Sequence, residues 1–566
     1  MNFKHDIATI LSDEIKEISM EEIESMIEIP SNTEMGDYAF PCFKLSKIFR
    51  KSPNMIAEEL AQKLEKTAVI DKIINLSGYV NFFVDRETWA KSVISRVVTE
   101  KENFGRSDYG QKRNTIVEFS SPNIAKPFHI GHIRTTVIGH SLYRLYDFMG
   151  FNAIAINHLG DYGTQFGKLI VAYKAWGDRA VIESNPISEL LKIYVRFHDE
   201  ADQNPELEEE ARGWFKKLEN KDPEATELWQ WMRDISLKEF NRVYDLLGIK
   251  FDSFAGESFY SDKMPAAVQL IEDKGLLKDS EGAKIVDLEP YGMPPALIMK
   301  KDGSTLYITR DIAAAIYRKE TYDFYKNIYV VGTPQELHFR QWGKILELMG
   351  FEWAKDCIHV QFGTVSLEDG VLSTRSGRVV FLEDVLNRAI EQTKAIIMQK
   401  NPDLENIDET AKQVGVGALV FQELSNSRIK DYQFSWERTL SFEGETGPYV
   451  QYSYARCCSL IEKSEFEPST DIDFSIIAQN PDAMEIVRVL TSFDDVLMRS
   501  LNRNEPHHIA RFVLDLSQAF NKFYHDNHIL SETEDVQKAY ISLVESVKNG
   551  IHNALYLLGM ESPQKM

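Results

Sequence analysis

The sequence has few cysteines, no long apolar run and a shortage of positive charge. Its 566 residues include four cysteines, Cys42, Cys357, Cys457 and Cys458, with no C-x-x-C spacing. That pattern argues against a zinc ribbon or a redox pair. No apolar stretch reaches the roughly 18 residues that a membrane-spanning helix needs, and the acidic N-terminus is unlike a secretory signal. We therefore expect a cytoplasmic protein with reduced thiols and no membrane partner.

The shortage of positive charge bears on nucleic-acid binding. There are 64 Lys and Arg residues against 87 Asp and Glu, a net charge of −23. Such an excess of acidic residues argues against binding of nucleic acid, because its phosphates attract a basic partner. The distribution is uneven, however: residues 111–180 hold eight basic and four acidic residues, whereas residues 441–566 hold ten and nineteen. Nucleic acid would therefore need a local cationic surface, for which the C-terminal segment offers Arg456, Arg499, Arg503 and Arg511.

The rest of the composition, 43% hydrophobic and 27% charged, is typical of a globular protein, and the length predicts three to four domains. An acidic amphipathic helix is predicted over 3–26 and a strand over 78–84, which together indicate a small α+β domain. A strand at 115–119, a helix at 131–150 and a strand at 151–156 form a βαβ pattern, which predicts a parallel sheet.

Two stretches depart from this α/β pattern. Residues 183–245 are acidic and helical in period, which indicates an insertion. From about residue 415 to the end the pattern is helical with no strong strand, which predicts a helical bundle. The expected fold class is α/β: a parallel-sheet domain between an N-terminal α+β domain and an all-α C-terminal bundle.

The most informative motif is His129-Ile-Gly-His132, which follows a predicted strand and loop and opens a helix. Imidazoles three residues apart share one helix face, a helix N-terminus attracts phosphate, and Gly131 lets a flat ring approach the backbone. The motif is typical of an ATP site whose histidines donate hydrogen bonds to charge at the α-phosphate. Two surface histidines at a helix start would give the same four letters, so the motif alone leaves both interpretations open.

The sequence that flanks the motif favours the ATP-site interpretation over two surface histidines. The run from Val117 to Arg134 resembles the HIGH signature region of class I aminoacyl-tRNA synthetases. Its Glu-Phe-Ser-Ser-Pro-Asn segment and residues 157–167 resemble the arginyl-tRNA synthetases in particular. Further runs extend this resemblance over most of the chain: Tyr307-Ile-Thr-Arg-Asp311, Leu372-Ser-Thr-Arg-Ser-Gly377, Phe381-Leu-Glu-Asp384 and the segment 447–456.

The resemblance implies a domain order. It implies a Rossmann-type catalytic domain over 112–380, with the helical insertion at about 183–245. It also implies an N-terminal domain, 1–105, that contacts the tRNA elbow, a connecting helical segment, 381–445, and a helical anticodon-binding domain, 446–566. Aromatic residues of the last domain could stack on bases, although core packing is the better interpretation for each one; they are Tyr449, Tyr452, Tyr454, Phe520, Phe523 and Tyr524.

An arginine substrate needs acidic partners, because its guanidinium is a planar fork of five donors. Glu118 ends a predicted buried strand, where an acid is unexpected, and Asp311 lies either in such a site or at a helix N-cap. Lysine cannot satisfy two acids in forked geometry, so unpaired buried acceptors would reject it. The resemblance implies this arginine-binding set: Glu118, Ser121, Asn123, His132, Tyr307, Asp311 and Gln335.

The second class I signature, normally K-M-S-K-S, departs from the family pattern. The matching residues, Val371-Leu-Ser-Thr-Arg375, lack both lysines. By resemblance to members with the same departure, Lys126 supplies the missing charge, and Arg375 is a second candidate; either could instead be an exposed loop residue. The implied catalytic residues are His129, His132, Lys126 and Arg375. The implied ATP-binding residues are His129, Gly131, His132, Lys126, Ser373, Thr374 and Arg375.

The resemblance therefore implies ligation of arginine to tRNA in two steps. Arginine and ATP would give arginyl-adenylate and pyrophosphate, and the 3′-terminal adenosine of tRNA(Arg) would then accept the arginine. We expect ATP as its Mg²⁺ complex, no structural metal, a first step that needs bound tRNA, and a monomer. The alternatives are a synthetase for another amino acid, a paralogue that binds tRNA without charging it, and a small-molecule nucleotidyltransferase.

Overall fold

The computed structural model describes residues 3–30, 32–301, 306–367 and 380–566. Its N-terminal segment contains an antiparallel sheet in the order β1-β3-β2. The helix predicted over 3–26 is two helices instead, because Ser19 starts a new one by accepting a hydrogen bond from the Glu22 amide. The elements are α1 (Phe3–Glu14), α2 (Met20–Met26), β1 (Tyr38–Pro41), α3 (Leu45–Phe49), α4 (Pro53–Lys63), β2 (Ile70–Leu76), β3 (Tyr79–Val84) and α5 (Arg86–Glu100).

The central segment is built on a parallel sheet in the order β10-β9-β4-β5, which confirms the α/β prediction. A second, antiparallel sheet, β6-β7-β8, was not predicted, because its strands have only four residues each. The elements are β4 (Asn114–Glu118), α6 (Ile133–Phe148), β5 (Asn152–Ile156), α7 (Thr164–Trp176), α8 (Arg179–Ser184), α9 (Pro186–Ala201), α10 (Glu206–Glu219), α11 (Pro223–Leu247), α12 (Glu257–Tyr260), α13 (Met264–Asp273), β6 (Leu277–Ser280), β7 (Ala283–Val286), β8 (Ala296–Met299), α14 (Tyr307–Tyr322), β9 (Lys326–Gly332), α15 (Glu336–Leu348), β10 (Cys357–Phe362) and β11 (Val365–Leu367).

The last segment is helical except at one place. The sequence predicts no strong strand beyond about residue 415, and the structure adds a short one, β12, whose three residues pair in parallel with β11. So short a strand leaves no readable alternation. The elements are α16 (Leu382–Lys400), α17 (Ile407–Leu424), β12 (Tyr432–Phe434), α18 (Trp436–Thr439), α19 (Gly447–Lys463), α20 (Phe474–Gln479), α21 (Pro481–Thr491), α22 (Phe493–Arg503), α23 (His507–Asp526) and α24 (Glu534–Leu558).

The chain forms two compact units. One comprises Met1–Phe104, Arg456–Phe493 and Asp515–Asn553; the other comprises Gly105–Ala455, Asp494–Leu514 and Ala554–Met566. Residues 381–445 thus lie in the same unit as the parallel sheet, and the C-terminal helices are divided between the units. Within the first unit, the Trp89 indole of α5 donates a hydrogen bond to the Thr491 hydroxyl of α21 at 2.7 Å.

The packing of α6 on the parallel sheet determines where a ligand can bind. A Cβ at Gly139 would lie 2.1 Å from the Cβ of Phe119, so α6 can approach the end of β4 only because residue 139 has no side chain. The N-terminus of α6 therefore lies at the carboxyl end of β4, where open parallel sheets bind their ligands. None of the helices within the described ranges is long and apolar enough to cross a membrane.

Candidate active site

The signature histidines lie between the carboxyl end of β4 and the start of α6. A single 3-10 turn, Ile130–His132, has His129 as its N-cap. The Gly131 amide donates to Nδ1 of His129 at 3.1 Å, and the His129 amide donates to Nδ1 of His132 at 3.2 Å. The two ring centroids are 4.1 Å apart. Nδ1 of His129 accepts, so Nε2 of that neutral ring carries the proton and can donate to a ligand. Nδ1 of His132 also lies 3.2 Å from the His129 carbonyl oxygen, so its contacts are compatible with either tautomer.

Burial keeps both histidines neutral. It lowers the pKa of His129, and it lowers the pKa of His132 to about 3, with the neighbouring His129 ring adding to the effect. A neutral imidazole acts near pH 7 as a hydrogen-bond donor rather than as a cation. Any positive charge needed at the phosphates must therefore come from another residue.

The loop between β4 and His129 has an unusual backbone. Ser120, Ser121 and Ala125 have φ angles of +71°, +48° and +58°, a region that costs non-glycine residues about 1–3 kcal/mol each. Side chains of α11 hold the loop in place: the Tyr244 hydroxyl lies 2.8 Å from Oγ of Ser120, and the Ser236 hydroxyl accepts from the Ala125 amide at 3.2 Å. In the described part of the chain, the buried Oγ of Ser121 has no hydrogen-bond partner, which suits a group that faces a ligand.

Glu118 is buried at the end of β4, and it has a partner that the sequence analysis did not identify. Its Oε2 lies 2.6 Å from Nη1 of Arg318 in α14, and both side chains are almost inaccessible. Beside them, burial lowers the pKa of the half-buried His158, while the charges of Glu118 and Asp311 both raise it. Two of the predicted arginine ligands, Glu118 and Asp311, thus act electrostatically on one histidine ring.

Asp311 lies in the second turn of α14, whose N-cap is Leu306, so the N-cap interpretation of Asp311 is wrong. Its Oδ2 lies 2.5 Å from Nε2 of His338 in α15. The neighbouring Arg310 is about nine-tenths buried and lies 3.0 Å from Glu257. Burial raises the pKa of Glu257 to about 7. Asp311 therefore has a polar partner on one side and a buried ion pair on the other.

The other predicted arginine ligands have more open side chains. Tyr307, the first residue of α14, is 65% exposed. Gln335 is exposed at the end of the 3-10 turn that follows β9, and Asn123 is exposed in the β4–α6 loop. The backbone of Asn123 forms a bridge with Gly160. The glycine-rich run 157–167 thus supports the loop of the candidate site and leads into α7.

Both flanks of the second signature contact the core of this unit. Residues 368–379, which include Ser373, Thr374 and Arg375, lie outside the described residues. Before them, β11 pairs with β12; after them, Phe381 forms a bridge with His129. Lys126 is half-buried in the loop before His129, and its charge lowers the pKa of Glu257.

A cavity of about 1260 Å³ lies beside Tyr307 and Arg310. Aromatic rings and lysines from α10, α11, α12 and nearby loops line it, among them Tyr162, Phe215, Trp229, Phe259, Lys221, Lys263 and Lys300. Aromatic faces interleaved with cations are typical of sites for unpaired nucleotides. Across the ranges that the structure describes, no three His, Cys, Asp or Glu side chains are grouped so as to hold a metal ion.

The aromatic residues of the C-terminal helices divide between core and surface. Tyr454, Phe520 and Phe523 are buried, which confirms core packing for these three. Tyr452 and Tyr524 are 41% and 39% exposed, and the guanidinium of Arg456 lies 4.6 Å from the Tyr524 ring centroid.

The sequence analysis missed four ionisable residues at the site: Arg318, His338, Glu257 and Arg310. Arg318 follows Asp311 by seven residues, so helical spacing could have placed both on one face of α14. His338 and Glu257 belong to other elements. No local pattern connects them with Asp311 or Arg310, because their proximity depends on how α12, α14 and α15 pack.

Comparison with known proteins gives consistent family matches along the chain. Residues 93–436 match the family described as tRNA synthetases class I (R), catalytic domain. Residues 5–84 match the arginyl tRNA synthetase N terminal domain, and residues 450–566 match the DALR anticodon binding domain.

Individual relatives match over their whole length. The chain is 65% identical to the arginine–tRNA ligase of Clostridioides difficile and 60% identical to that of Halothermothrix orenii, each comparison covering 100% of both chains. Its fold is similar to that of the arginyl-tRNA synthetase structure from Thermus thermophilus, with a TM-score of 0.81 at 23% identity over 100% of both chains. The Plasmodium falciparum structure gives a TM-score of 0.82 at 24% identity, covering 100% of this chain and 99% of the other.

Proposed function

The chain belongs to the arginine–tRNA ligase family of class I synthetases, and from that premise we propose how its own residues carry out the reaction. The family reaction joins arginine to tRNA at the expense of ATP, so the alternative of a paralogue without charging activity is set aside. One observation carries the proposal: two carboxylates and two neutral imidazoles occur on neighbouring elements of one unit. Glu118 ends β4, His129 and His132 precede α6, and Asp311 lies in α14.

In this proposal Glu118 and Asp311 both bind the guanidinium of substrate arginine. One oxygen of Glu118 contacts Arg318, and its second oxygen can accept from the substrate guanidinium. Ser121 fits the same role, since its buried hydroxyl has no partner in the described part of the chain. The more exposed members of the set, Asn123, Tyr307 and Gln335, would complete the pocket, and His132 would contact arginine as well as ATP.

For activation, we propose that the substrate carboxylate attacks the α-phosphate and pyrophosphate leaves. Nε2 of His129 and of His132 would donate to the phosphate oxygens that gain charge, and the Gly131 backbone would lie against the adenine. Lys126 would supply the cation that the second signature lacks, and Ser373, Thr374 and Arg375 are the further residues proposed to bind ATP. No enzyme nucleophile is required, so catalysis consists of positioning and electrostatic stabilisation.

Mg²⁺ enters this scheme as the counterion of ATP, where it neutralises phosphate charge. The family uses ATP as a substrate, and the described residues offer no cluster of metal ligands. We therefore propose that the phosphates themselves carry the metal into the site, while Lys126 and the histidines bind phosphate oxygens directly.

The cavity beside Tyr307 suits the 3′-terminal adenosine. Its aromatic rings could stack on the base, and its lysines could neutralise the backbone phosphates. Tyr307 belongs both to this cavity and to the proposed arginine set, so tRNA that fills the cavity would also complete the arginine site. This shared residue supports the proposal that the first step needs bound tRNA.

We further propose that residues 1–105 contact the tRNA elbow and that 446–566 bind the anticodon, with 381–445 as the connection. Resemblance to the family also supports a monomer in the cytoplasm. Light scattering after gel filtration tests the monomeric state, and cell fractionation tests the cytoplasmic location.

The decisive experiment measures charging of tRNA(Arg) with each of the twenty amino acids, and pyrophosphate exchange with and without tRNA. We expect charging with arginine alone and exchange near background when tRNA is omitted. Charging with another amino acid, or none at all, would contradict the proposed substrate. Robust exchange without tRNA would contradict only the tRNA requirement.

A further inference from the structure

Arg134 is a buried cation that the proposed reaction does not use. It is the second residue of α6, two residues after His132 of the first signature, and its side chain is 1% exposed. Its Nη1 donates to the Lys430 carbonyl at 2.8 Å, its Nε lies 3.3 Å from Oε2 of Glu423, and its guanidinium lies 5.3 Å from the Tyr432 ring centroid. Three contacts therefore connect the start of α6 with residues 423–432.

Glu423 and Tyr432 complete this buried group. The Tyr432 hydroxyl donates a hydrogen bond to Oε1 of Glu423. The Glu423 carboxyl is enclosed on every side, so burial raises its pKa to about 7, although Arg134 and Tyr432 lower it. A buried charge is costly unless its partners stay in place, so Arg134, Glu423 and Tyr432 restrict one another's positions.

The segment that Arg134 holds is in turn attached to β11. Asp431 accepts hydrogen bonds from the amide and the hydroxyl of Thr364, at 2.6 and 2.9 Å, and the Tyr432 amide donates to the Thr364 carbonyl at 3.2 Å. A Cβ at Gly363 would lie 2.6 Å from the Ile429 carbonyl oxygen, so the two backbones are in direct contact. In the β11–β12 pairing, Val365 lies opposite Tyr432.

These contacts give the second signature two attachments to the first. The chain passes from β11 into residues 368–379 and returns at Val380, whose carbonyl accepts from the Ile130 amide at 3.1 Å. The returning flank is thus hydrogen-bonded to the first signature itself. The entering flank, β11, reaches α6 through β12, Glu423 and Arg134.

We propose that Arg134 is a positioning residue which, with Glu423 and Tyr432, holds the β11–β12 pair in register with the signature histidines. This inference rests on the proposed function, in which both signatures bind ATP. Arg134 touches no reacting atom; it acts by fixing the strand that leads into the second signature. Because small displacements of reacting groups cost up to about 10²-fold in rate, loosening this strand should slow activation.

The proposal predicts a specific kinetic pattern. The arginine ligands Glu118 and Asp311 lie on β4 and α14, and none of the three contacts of Arg134 described above reaches either residue, so the KM for arginine should stay within about twofold of wild type. The KM for ATP should rise and kcat should fall, because the two halves of the ATP site would lose their alignment.

The experiment compares Arg134→Lys, Tyr432→Phe and Glu423→Gln in pyrophosphate exchange with saturating tRNA. We expect Arg134→Lys to lower kcat at least about tenfold, since lysine cannot reproduce the guanidinium fork. Tyr432→Phe, which removes only the hydroxyl, and Glu423→Gln should give smaller changes of the same kind. Arg144→Lys is the matched control, because Arg144 lies on the same helix and also donates to a backbone carbonyl, that of Tyr556, at 2.8 Å.

Equal losses in Arg134→Lys and Arg144→Lys, or a rise in arginine KM without a change for ATP, would overturn the proposal. A variant that combines Arg134→Met with Glu423→Leu separates lost activity from lost folding, since apolar replacement of a buried ion pair is often tolerated. It should unfold cooperatively yet keep the low kcat; recovery of wild-type kcat would show a merely structural role and overturn the proposal. Absence of arginine-dependent exchange in the wild type would instead contradict the proposed function.

Discussion

Glu118 and Arg318 form a buried ion pair, with 2.6 Å between Oε2 and Nη1, at the carboxyl end of β4. A guanidinium of the protein thereby orients the carboxylate that we propose to bind the guanidinium of the substrate. The pair also accounts for an acid at the end of a buried strand: burial lowers the pKa of Arg318, but Tyr260 and Glu118 raise it well above its usual value, so the strand end needs a counterion.

Replacing Arg318 by Met should destabilise the fold and weaken arginine binding together. Removal of one partner from a buried pair costs about 3–5 kcal/mol, because Glu118 is left charged without a counterion. Urea unfolding should show this loss, and the arginine KM of the folded fraction should rise. Arg318→Met combined with Glu118→Gln should recover stability but not arginine affinity. Wild-type affinity in that double variant would show that Glu118 does not contact the substrate.

Asp311→Ala should lower kcat/KM for arginine at least about 10²-fold, because a charge-assisted contact to the substrate is lost. His338→Asn should have a smaller effect, confined mainly to KM, since His338 orients Asp311 and does not replace it. Asp323→Ala is the control, an exposed aspartate at the end of the same helix. Steady-state kinetics of all three variants test whether Asp311 contacts the substrate. Equal effects of Asp311→Ala and Asp323→Ala on kcat/KM would refute that role.

His132 should remain neutral across the physiological pH range, because burial lowers its pKa to about 3. In NMR spectra of the protein labelled at histidine, the ring signal of His132 should not shift between pH 5 and 8, and an exposed histidine such as His525 provides the reference. A midpoint between pH 6 and 7 for His132 would mean that the signature acts as a cation, contrary to the proposed donor role.

Glu257 should make stability depend on pH. Its pKa is raised from 4.5 to about 7 by burial, so the folded state keeps a proton that the unfolded state has already lost. The stabilising contribution is present below pH 4.5 and is lost as pH rises through about 7. Urea midpoints between pH 5 and 8 should therefore fall more steeply for wild type than for Glu257→Gln, and parallel curves would contradict the shift.

Lys126 should matter more than Arg375 for activation. Lys126→Met should lower kcat at least about tenfold, as expected for loss of a cation that stabilises transition-state charge, with the arginine KM unchanged. Arg375→Met should have a smaller effect in the same pyrophosphate exchange assay. The reverse order would assign the missing signature charge to Arg375.

The sequence by itself determined the fold class and identified the residues of the proposed reaction centre. Local patterns were sufficient for this, because a buried strand, a turn and an amphipathic helix follow from residue spacing alone: strand 115–119 and helix 131–150 appear as β4 and α6. Short motifs also drew attention to Glu118 and Asp311, since acids in apolar surroundings are conspicuous in a sequence.

Only the tertiary structure decided which partners those residues have. Arg318, His338 and Glu423 contact Glu118, Asp311 and Arg134 across helices that are distant in sequence. The helix break at Ser19 and the strand β12 depend on single hydrogen bonds or on pairing with β11. Such contacts arise because whole elements pack together, and the packing decides which counterion lies next to a buried charge. The spacing of residues along the chain predicts neither the packing nor the counterion.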